Sequence, residues 1–409
     1  MKNIYRILFI ITVLTCNNIK AQNISQWRGP NRDGVYDDPE LINKWPDNGP
    51  ALLWFNDSIG DGYGSPAVNS GMIFINGGTD STSYLFAFDM HGKLIWKSAN
   101  GKEYVGNGFS SKFPGARATP TIYGDLVYTC SGNGRIACFE KLSGKEEWAI
   151  EMLGGFNGYM NKFGYSESLV IDNDNLYCFP GGNLNFAVAL NRFTGKTVWT
   201  SKVIPDTISY CSPVIINLPS RKVLVTFTSH YIVGLDAGNG ELLWSQKQDK
   251  VQYMQQCNSP VFSDGYLYYV AGDGNGAVKL SISEDGKNIK EIWRNPLIKN
   301  NFCGFVKIND NIYSTDQTQK LKCIDCNTGQ TIDSLSINKG AIIAGNGLIY
   351  CYSQNGEVSL IKPHASSMSI ISNFKIDKGT KEHFAHPVIN NGVLYIRHGR
   401  TLLAYDIKG

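Results

Sequence analysis

Leu85-Phe86-Ala87-Phe88-Asp89-Met90-His91-Gly92-Lys93-Leu94-Ile95-Trp96 is the stretch on which the fold turns. An apolar-aromatic run ends in an acid, a Gly-Lys turn follows, and a Trp stands four residues after the glycine. The same phrase returns as Cys138-Phe139-Glu140 with Gly144-Lys145 and Trp148, and as Ala189-Leu190-Asn191 with Gly195-Lys196 and Trp199. It returns again as Gly234-Leu235-Asp236 with Gly240-Glu241 and Trp244. Self-similarity at a fixed period marks a repeat architecture, and here each copy reads as strands joined by tight turns.

Working outward, each copy opens with Ser/Thr-Pro and an apolar hairpin. Ser65-Pro66 leads into Gly71-Met72-Ile73-Phe74, and Thr119-Pro120 into Leu126-Val127-Tyr128. Leu176-Tyr177 belongs to the third copy, Ser212-Pro213 opens the fourth, and Ser259-Pro260 with Leu267-Tyr268-Tyr269 and Trp293 forms the fifth. The sixth keeps Asn311-Ile312-Tyr313 and Cys323-Ile324-Asp325 without a Trp, and the seventh, around Leu348-Ile349-Tyr350, is the most degraded. The eighth, from His386-Pro387 to Ala404-Tyr405-Asp406, ends one strand short. Leu52-Leu53-Trp54-Phe55, which precedes the first copy, has the character of the missing strand. A ring closed by that strand has no open edge, whereas an open array would need caps at both ends. The expected fold is therefore all-β: an eight-bladed β-propeller of four-stranded blades, closed by an N-terminal strand that completes the last blade.

The Trp column is expected to pack between blades, each ring burying about 150–250 Å², worth at most about 4–6 kcal/mol. Two residues before the turn acid stands a column of small residues: Ala87, Cys138, Ala189, Gly234, Cys323 and Ala404. That column gives two of the cysteines a packing role. Nine cysteines remain when Cys16 is set aside, an odd number that cannot pair completely within one chain.

The first 22 residues differ in kind. Lys2 and Arg6 precede the apolar run Ile7 to Leu14, and a polar stretch leads to Ala21-Gln22. These are the charged, apolar and cleavage regions of a signal peptide, too short for a permanent membrane span. Cys16 leaves a lipid-modified N-terminus as the alternative, although Val13-Leu14-Thr15 fits a lipoprotein cleavage box poorly. The expected organisation is a signal peptide over 1–22, an extended segment over 23–49 and the propeller over 50–409, with a periplasmic or secreted location. The formal charge of +3 is accounted for by Lys2, Arg6 and Lys20, so the remaining chain is neutral. Neutrality without basic runs argues against nucleic acid, and against an anionic membrane unless Cys16 is lipidated.

The repeated Asp-x-x-Thr-Gly-Lys-x-x-Trp phrase resembles the quinoprotein-like propellers, which include pyrroloquinoline-quinone (PQQ) dehydrogenases and an outer-membrane assembly lipoprotein. Gln26-Trp27-Arg28-Gly29-Pro30-Asn31-Arg32-Asp33-Gly34, Gly164-Tyr165-Ser166-Glu167-Ser168 and Phe179-Pro180-Gly181-Gly182 resemble a secreted bacterial branch of that family. The resemblance covers nearly all of residues 23–409 and implies the fold. It leaves three functions open, because fold does not fix function. They are a non-catalytic scaffold for a protein, glycan or small molecule, a PQQ-dependent oxidoreductase for an alcohol or sugar, and a scaffold in outer-membrane protein assembly.

Aligned repeats place Arg117, Ser166, Tyr210, Cys257, Phe302, Lys339 and Phe384 at one level around the central channel. Ala118, Glu167, Cys211, Asn258, Cys303, Gly340 and Ala385 form the next level, and His386 lies one step on. A PQQ–Ca²⁺ site would use Arg117 to fork onto a carboxylate and Glu167 and Asn258 to face the metal. The chain departs from the alcohol dehydrogenases in lacking adjacent cysteines, and the repeat uses every Trp except Trp27 and Trp45. Long insertions over 99–117 and 151–164 bring Phe156, Tyr159 and Tyr165 towards Arg117 and Glu167. The expected ligand-binding residues are Arg117, Tyr165, Glu167, Asn258 and His386, with no metal site assigned. Cys323-x-x-Cys326 and His383-x-x-His386 have metal or redox spacing without further ligands, and Gly272-Asp273-Gly274-Asn275-Gly276 reads as a hairpin turn rather than a Ca²⁺ loop. No Gly-x-Ser-x-Gly elbow or phosphate loop occurs.

Overall fold

In the computed structural model, residues 24–409 are described, apart from residues 203, 205, 251 and 254. The signal-peptide and Cys16 expectations lie outside the described residues. Eight antiparallel sheets follow one another along the chain, each with four strands of the repeat. Blade one comprises Ala67–Asn69, Met72–Thr79, Thr82–Asp89 and Leu94–Lys102, and the other blades repeat this order from the channel outwards. The first hairpin of several blades is a two-residue turn with both φ positive, as at Ser70-Gly71, Asp264-Gly265 and Asn391-Gly392. Such turns match the right-handed twist of the flanking strands. The degraded seventh copy is a complete blade, from Gly340–Gly345 to Met368–Lys375.

The ring closes as the sequence predicts. Ala51–Asn56 pairs antiparallel with Thr401–Asp406, with Leu52 opposite Tyr405 and Trp54 opposite Ala404. In each intact copy the Trp lies across from the small-residue column: Ala87 faces Trp96, Cys138 faces Trp148, Ala189 faces Trp199 and Gly234 faces Trp244. The indole then reaches the next blade. Trp54, Trp96, Trp148, Trp199 and Trp293 donate to the carbonyls of Met90, Lys141, Arg192, Ala237 and Cys326, each the residue after the turn acid or Asn. A Cβ on Gly144 would sit 2.5 Å from the Trp96 ring, so the turn glycine is required by the preceding blade's indole.

Trp244 breaks the pattern. The blade-five turn, around Ser283–Gly286, has Ser283 where the others have an acid or Asn, and the Trp244 indole nitrogen is buried without a hydrogen-bond partner among the described residues. Trp199→Phe is therefore expected to destabilise the protein by about 1 kcal/mol more than Trp244→Phe. Urea unfolding of the two variants checks this, and equal losses would mean that the indole hydrogen bonds contribute nothing.

A Ser or Thr at the head of each of the first four blades clasps its neighbour. Thr119 Oγ1 accepts from Ser65 N, Ser168 Oγ from Thr119 N, and Ser212 Oγ from Ser168 N, at 2.9–3.1 Å. Ser65 Oγ joins blade one to blade eight by donating to His386 O at 2.7 Å.

Residues 24–49 run along and through the ring. Ile24–Ser25 adds a fifth strand to the inner edge of blade two, and Val35–Tyr36 adds one, parallel, to blade seven. Between them, Gln26 to Gly34 enters the channel. Trp45, with 1% of its surface exposed, then packs against Tyr350 and Phe374.

Candidate functional site

The channel segment is held by two buried arginines. Arg28 donates to Asp33 O, Phe305 O and Ile342 O, and its Nη1 lies 2.8 Å from His386 Nδ1. It thereby joins the inner edges of blades six, seven and eight. Arg32 donates to Ser168 O and Leu169 O at blade three and to Gln26 Oε1. Burial pulls both guanidinium groups down to about 10. Both residues take positive φ, 58° and 60°, which costs roughly 1–2 kcal/mol each and is offset by these bonds. Trp27 Nε1 donates to Ser259 Oγ at blade five, and its ring meets His386 edge-on at 4.8 Å. His386 is neutral at physiological pH: burial, then the Arg28 charge, pushes its pKa well below 6.5, so Nδ1 is free to accept from Arg28.

This plug lies between two cavities. One, about 900 Å³, is lined by Gln26, Asn31, Arg32 and Asp33 of the plug and by the first hairpins of several blades. Two of its acids are paired within the scaffold, Asp264 with Lys307 at 2.7 Å and Asp172 with Lys222 at 2.6 Å. The other, about 360 Å³, opens on the face that carries the inter-blade loops, with Trp27 and His386 among its lining residues. Its wall is a chain of ring contacts: Phe384 lies 5.5 Å from Tyr63, 5.2 Å from Phe302 and 6.2 Å from Phe113, and Phe163 links Phe113 to Tyr210. Arg117 is the single guanidinium in this wall. It is fixed by the carbonyls of Phe113 and Gly115 and lies over the faces of Tyr63 and Tyr104.

Of the level read from the aligned repeats, Arg117, Ser166, Tyr210, Cys257, Phe302 and Phe384 all line this cavity. Lys339 instead binds Gln317. The next level turns away, because successive residues of an extended strand point to opposite sides. Glu167 accepts from Phe179 N at 2.9 Å, and burial raises it to about 7 despite that bond and the Arg32 charge. Asn258 donates to Val270 O and Asn300 O and accepts from Gly304 N. Tyr165 donates to Pro180 O at 2.7 Å. The structure thus brings Arg117 and His386 to one cavity and places Tyr165, Glu167 and Asn258 behind its wall.

Tyr63 was missed, although it stands two residues before Ser65-Pro66, as Arg117 stands before Thr119-Pro120. From the insertions, Phe109, Phe113 and Phe163 line the cavity; Phe156 is buried elsewhere, and Tyr159 is exposed. His383 does not join His386. It stacks on His398 at 3.7 Å and meets the Tyr352 hydroxyl, and burial, then the neighbouring His398, lowers it to about 4. All nine described cysteines are free, Cys323 and Cys326 included.

PQQ with Ca²⁺ would need a carboxylate base and oxygen ligands at the cavity. Trp27 and Arg117 supply an aromatic surface and a cation. Among the described residues no carboxylate lines the cavity, and both Glu167 and Asn258 are committed to backbone groups. The donor set does not fit that cofactor pair.

Eight four-stranded blades, joined by the repeated turn-glycine and Trp contact and closed by an N-terminal strand, define a quinoprotein-like β-propeller. The chain belongs to the PQQ-repeat family, whose model, described as outer membrane protein assembly factor BamB, matches residues 81–334. BamB from Moraxella catarrhalis superposes with a TM-score of 0.62 at 14% identity, covering 87% of this chain and 99% of that one. The computationally designed Ika8 protein superposes with a TM-score of 0.56 at 12% identity, covering 87% and 98%. At these identities the likeness is one of fold. No curated protein sequence matches the chain.

Proposed function

We propose that the protein is an exported, non-catalytic recognition propeller that holds a partner protein at the aromatic channel mouth. One observation carries this reading: the exposed cavity is lined mainly by rings, with one guanidinium and, among the described residues, no carboxylate, while Glu167 and Asn258 are locked into the scaffold. Rigid inter-blade loops around such a cavity are a common place for binding. The family model's description, outer membrane protein assembly factor, favours a place in outer-membrane assembly, and Lys2 to Gln22 supports export to the compartment where that occurs. An anchor at Cys16 would belong to the same reading.

Titration of the mature protein with PQQ and Ca²⁺ tests it, following Trp fluorescence and dye-linked alcohol or aldose oxidation together. The expected result is no turnover, and no saturable quenching of Trp27 that Arg117→Ala removes. Turnover abolished by Arg117→Ala would overturn the reading in favour of an oxidoreductase.

A further inference from the structure

The loops around the cavity carry charge as well as rings. Lys112 lies 5.6 Å from the centre of the Phe109 ring, and Lys162 lies 5.4 Å from it and 5.8 Å from that of Phe163. Both lysines are exposed. Neither they nor Arg117 forms an ion pair among the described residues. Glu103, the acid whose charge bears most on Arg117, is buried and accepts from Tyr104 N and Gly132 N. Glu382, near the rim, accepts from the Tyr63 hydroxyl. The mouth therefore presents three cations, none of them in an ion pair among the described residues, around an apolar cup, and the complement of that field is negative.

Apolar surface continues beyond the cup. Phe109, at the rim of the cup, is 57% exposed, and Val105 and Tyr159, outside it on loops of the first three blades, are 51% and 54% exposed. A ligand confined to the cup would leave these uncovered, whereas a polypeptide would cover them. The loops are already ordered: the Tyr104 hydroxyl bonds Ser110 Oγ and Lys162 O, tying one insertion to the other. Binding then costs little further ordering on this side.

We propose, resting on the recognition reading above, that the occupant is an extended segment of a partner protein presenting one aromatic side chain flanked by aspartate or glutamate. The ring enters the cup against Phe113, Phe163 and Phe384, and the flanking carboxylates meet Arg117, Lys112 and Lys162.

The test uses the full mature chain and two fluorescein-labelled peptides, read by anisotropy. One carries a single phenylalanine between two pairs of aspartates; the other replaces the aspartates with lysines. The acidic peptide is expected to bind saturably, and Lys112→Glu with Lys162→Glu is expected to weaken it about tenfold or more. Phe109→Ser, a change at an exposed ring, is expected to weaken it about fivefold, and binding is expected to fall as salt rises from about 50 to 500 mM. Arg117→Gln is a further arm, judged only where its unfolding midpoint matches the wild type. Equal binding of both peptides, or binding indifferent to the lysine and Phe109 changes, overturns the proposal. Failure of the acidic peptide to bind also overturns it. Absence of PQQ turnover alongside that failure leaves the non-catalytic reading standing, so the two fail separately.

Discussion

Arg28→Met is expected to lower the free energy of unfolding by about 3–5 kcal/mol. The side chain fills the centre of the ring and serves four acceptors: Asp33 O, Phe305 O, Ile342 O and His386 Nδ1. Methionine keeps the length and apolar volume but leaves each acceptor without this donor, at about 1 kcal/mol apiece or more in a buried site. Burying a cation is itself costly, and the removal of that cost works against the loss. The loss dominates because the replacement is not polar and three of the four acceptors belong to separate blades that cannot close around the gap. Arg28→Lys is expected to rescue little, since one ammonium cannot fork across those positions. The measurement is the urea midpoint at constant m-value. An unchanged midpoint would mean that the plug is an ornament rather than a hub.

The same contact gives stability an acid limb. His386 is held neutral in the fold, whereas its unfolded counterpart takes up a proton near the ordinary value of 6.5. The unfolded state then binds more protons, so stability falls as pH drops below 6.5. His383, lowered to about 4, acts in the same direction over about 6.5 to 4. Glu167, raised to about 7, acts oppositely, since its folded-state penalty grows as pH rises from about 4.5 to 7. Below about 4.5 the Glu167 contribution is level, while that of His386 continues. His386→Gln is therefore expected to flatten the acid limb while leaving the Glu167 slope intact.

The blades were legible because a repeat states its structure eight times over. Gly92 to Trp96 and its counterparts encode a turn, a strand and an inter-blade contact in one phrase, and the structure uses every part. The channel level was legible for the same reason, and six of its seven residues line the cavity. Two things were not legible. The facing of Glu167 and Asn258 depends on strand parity, where one residue's offset reverses inside and outside. The role of Trp27 and Arg28 depends on where a non-repeating segment travels, and no internal copy exists against which to read it. Their partners lie at His386 and Ile342, more than 300 residues away in sequence.

Trp54→Ala is expected to cost about 3 kcal/mol and, unlike the same change elsewhere in the column, to open the ring. Trp54 sits on the closing strand, which is not contiguous in sequence with the other three strands of its blade. Its indole packs over Gly92 of blade one and donates to Met90 O at 2.8 Å, so it joins the last blade to the first. Trp148 makes the equivalent contact between blades two and three, donating to Arg192 O at 2.8 Å. Its loss leaves a void between blades that remain chained in sequence. Loss of Trp54 instead weakens the seam closed by pairing across the termini, Ala51–Asn56 with Thr401–Asp406. A ring opened at that seam behaves as an open array with an exposed strand edge, whose ends fray first. Hydrogen exchange is the discriminating measurement. Trp54→Ala is expected to accelerate exchange selectively in residues 51–56 and 401–406, whereas Trp148→Ala, at a similar cost in midpoint, leaves those segments protected. Uniform acceleration in both variants would mean that the ring unfolds as one unit and that the closing strand is no weaker than any other.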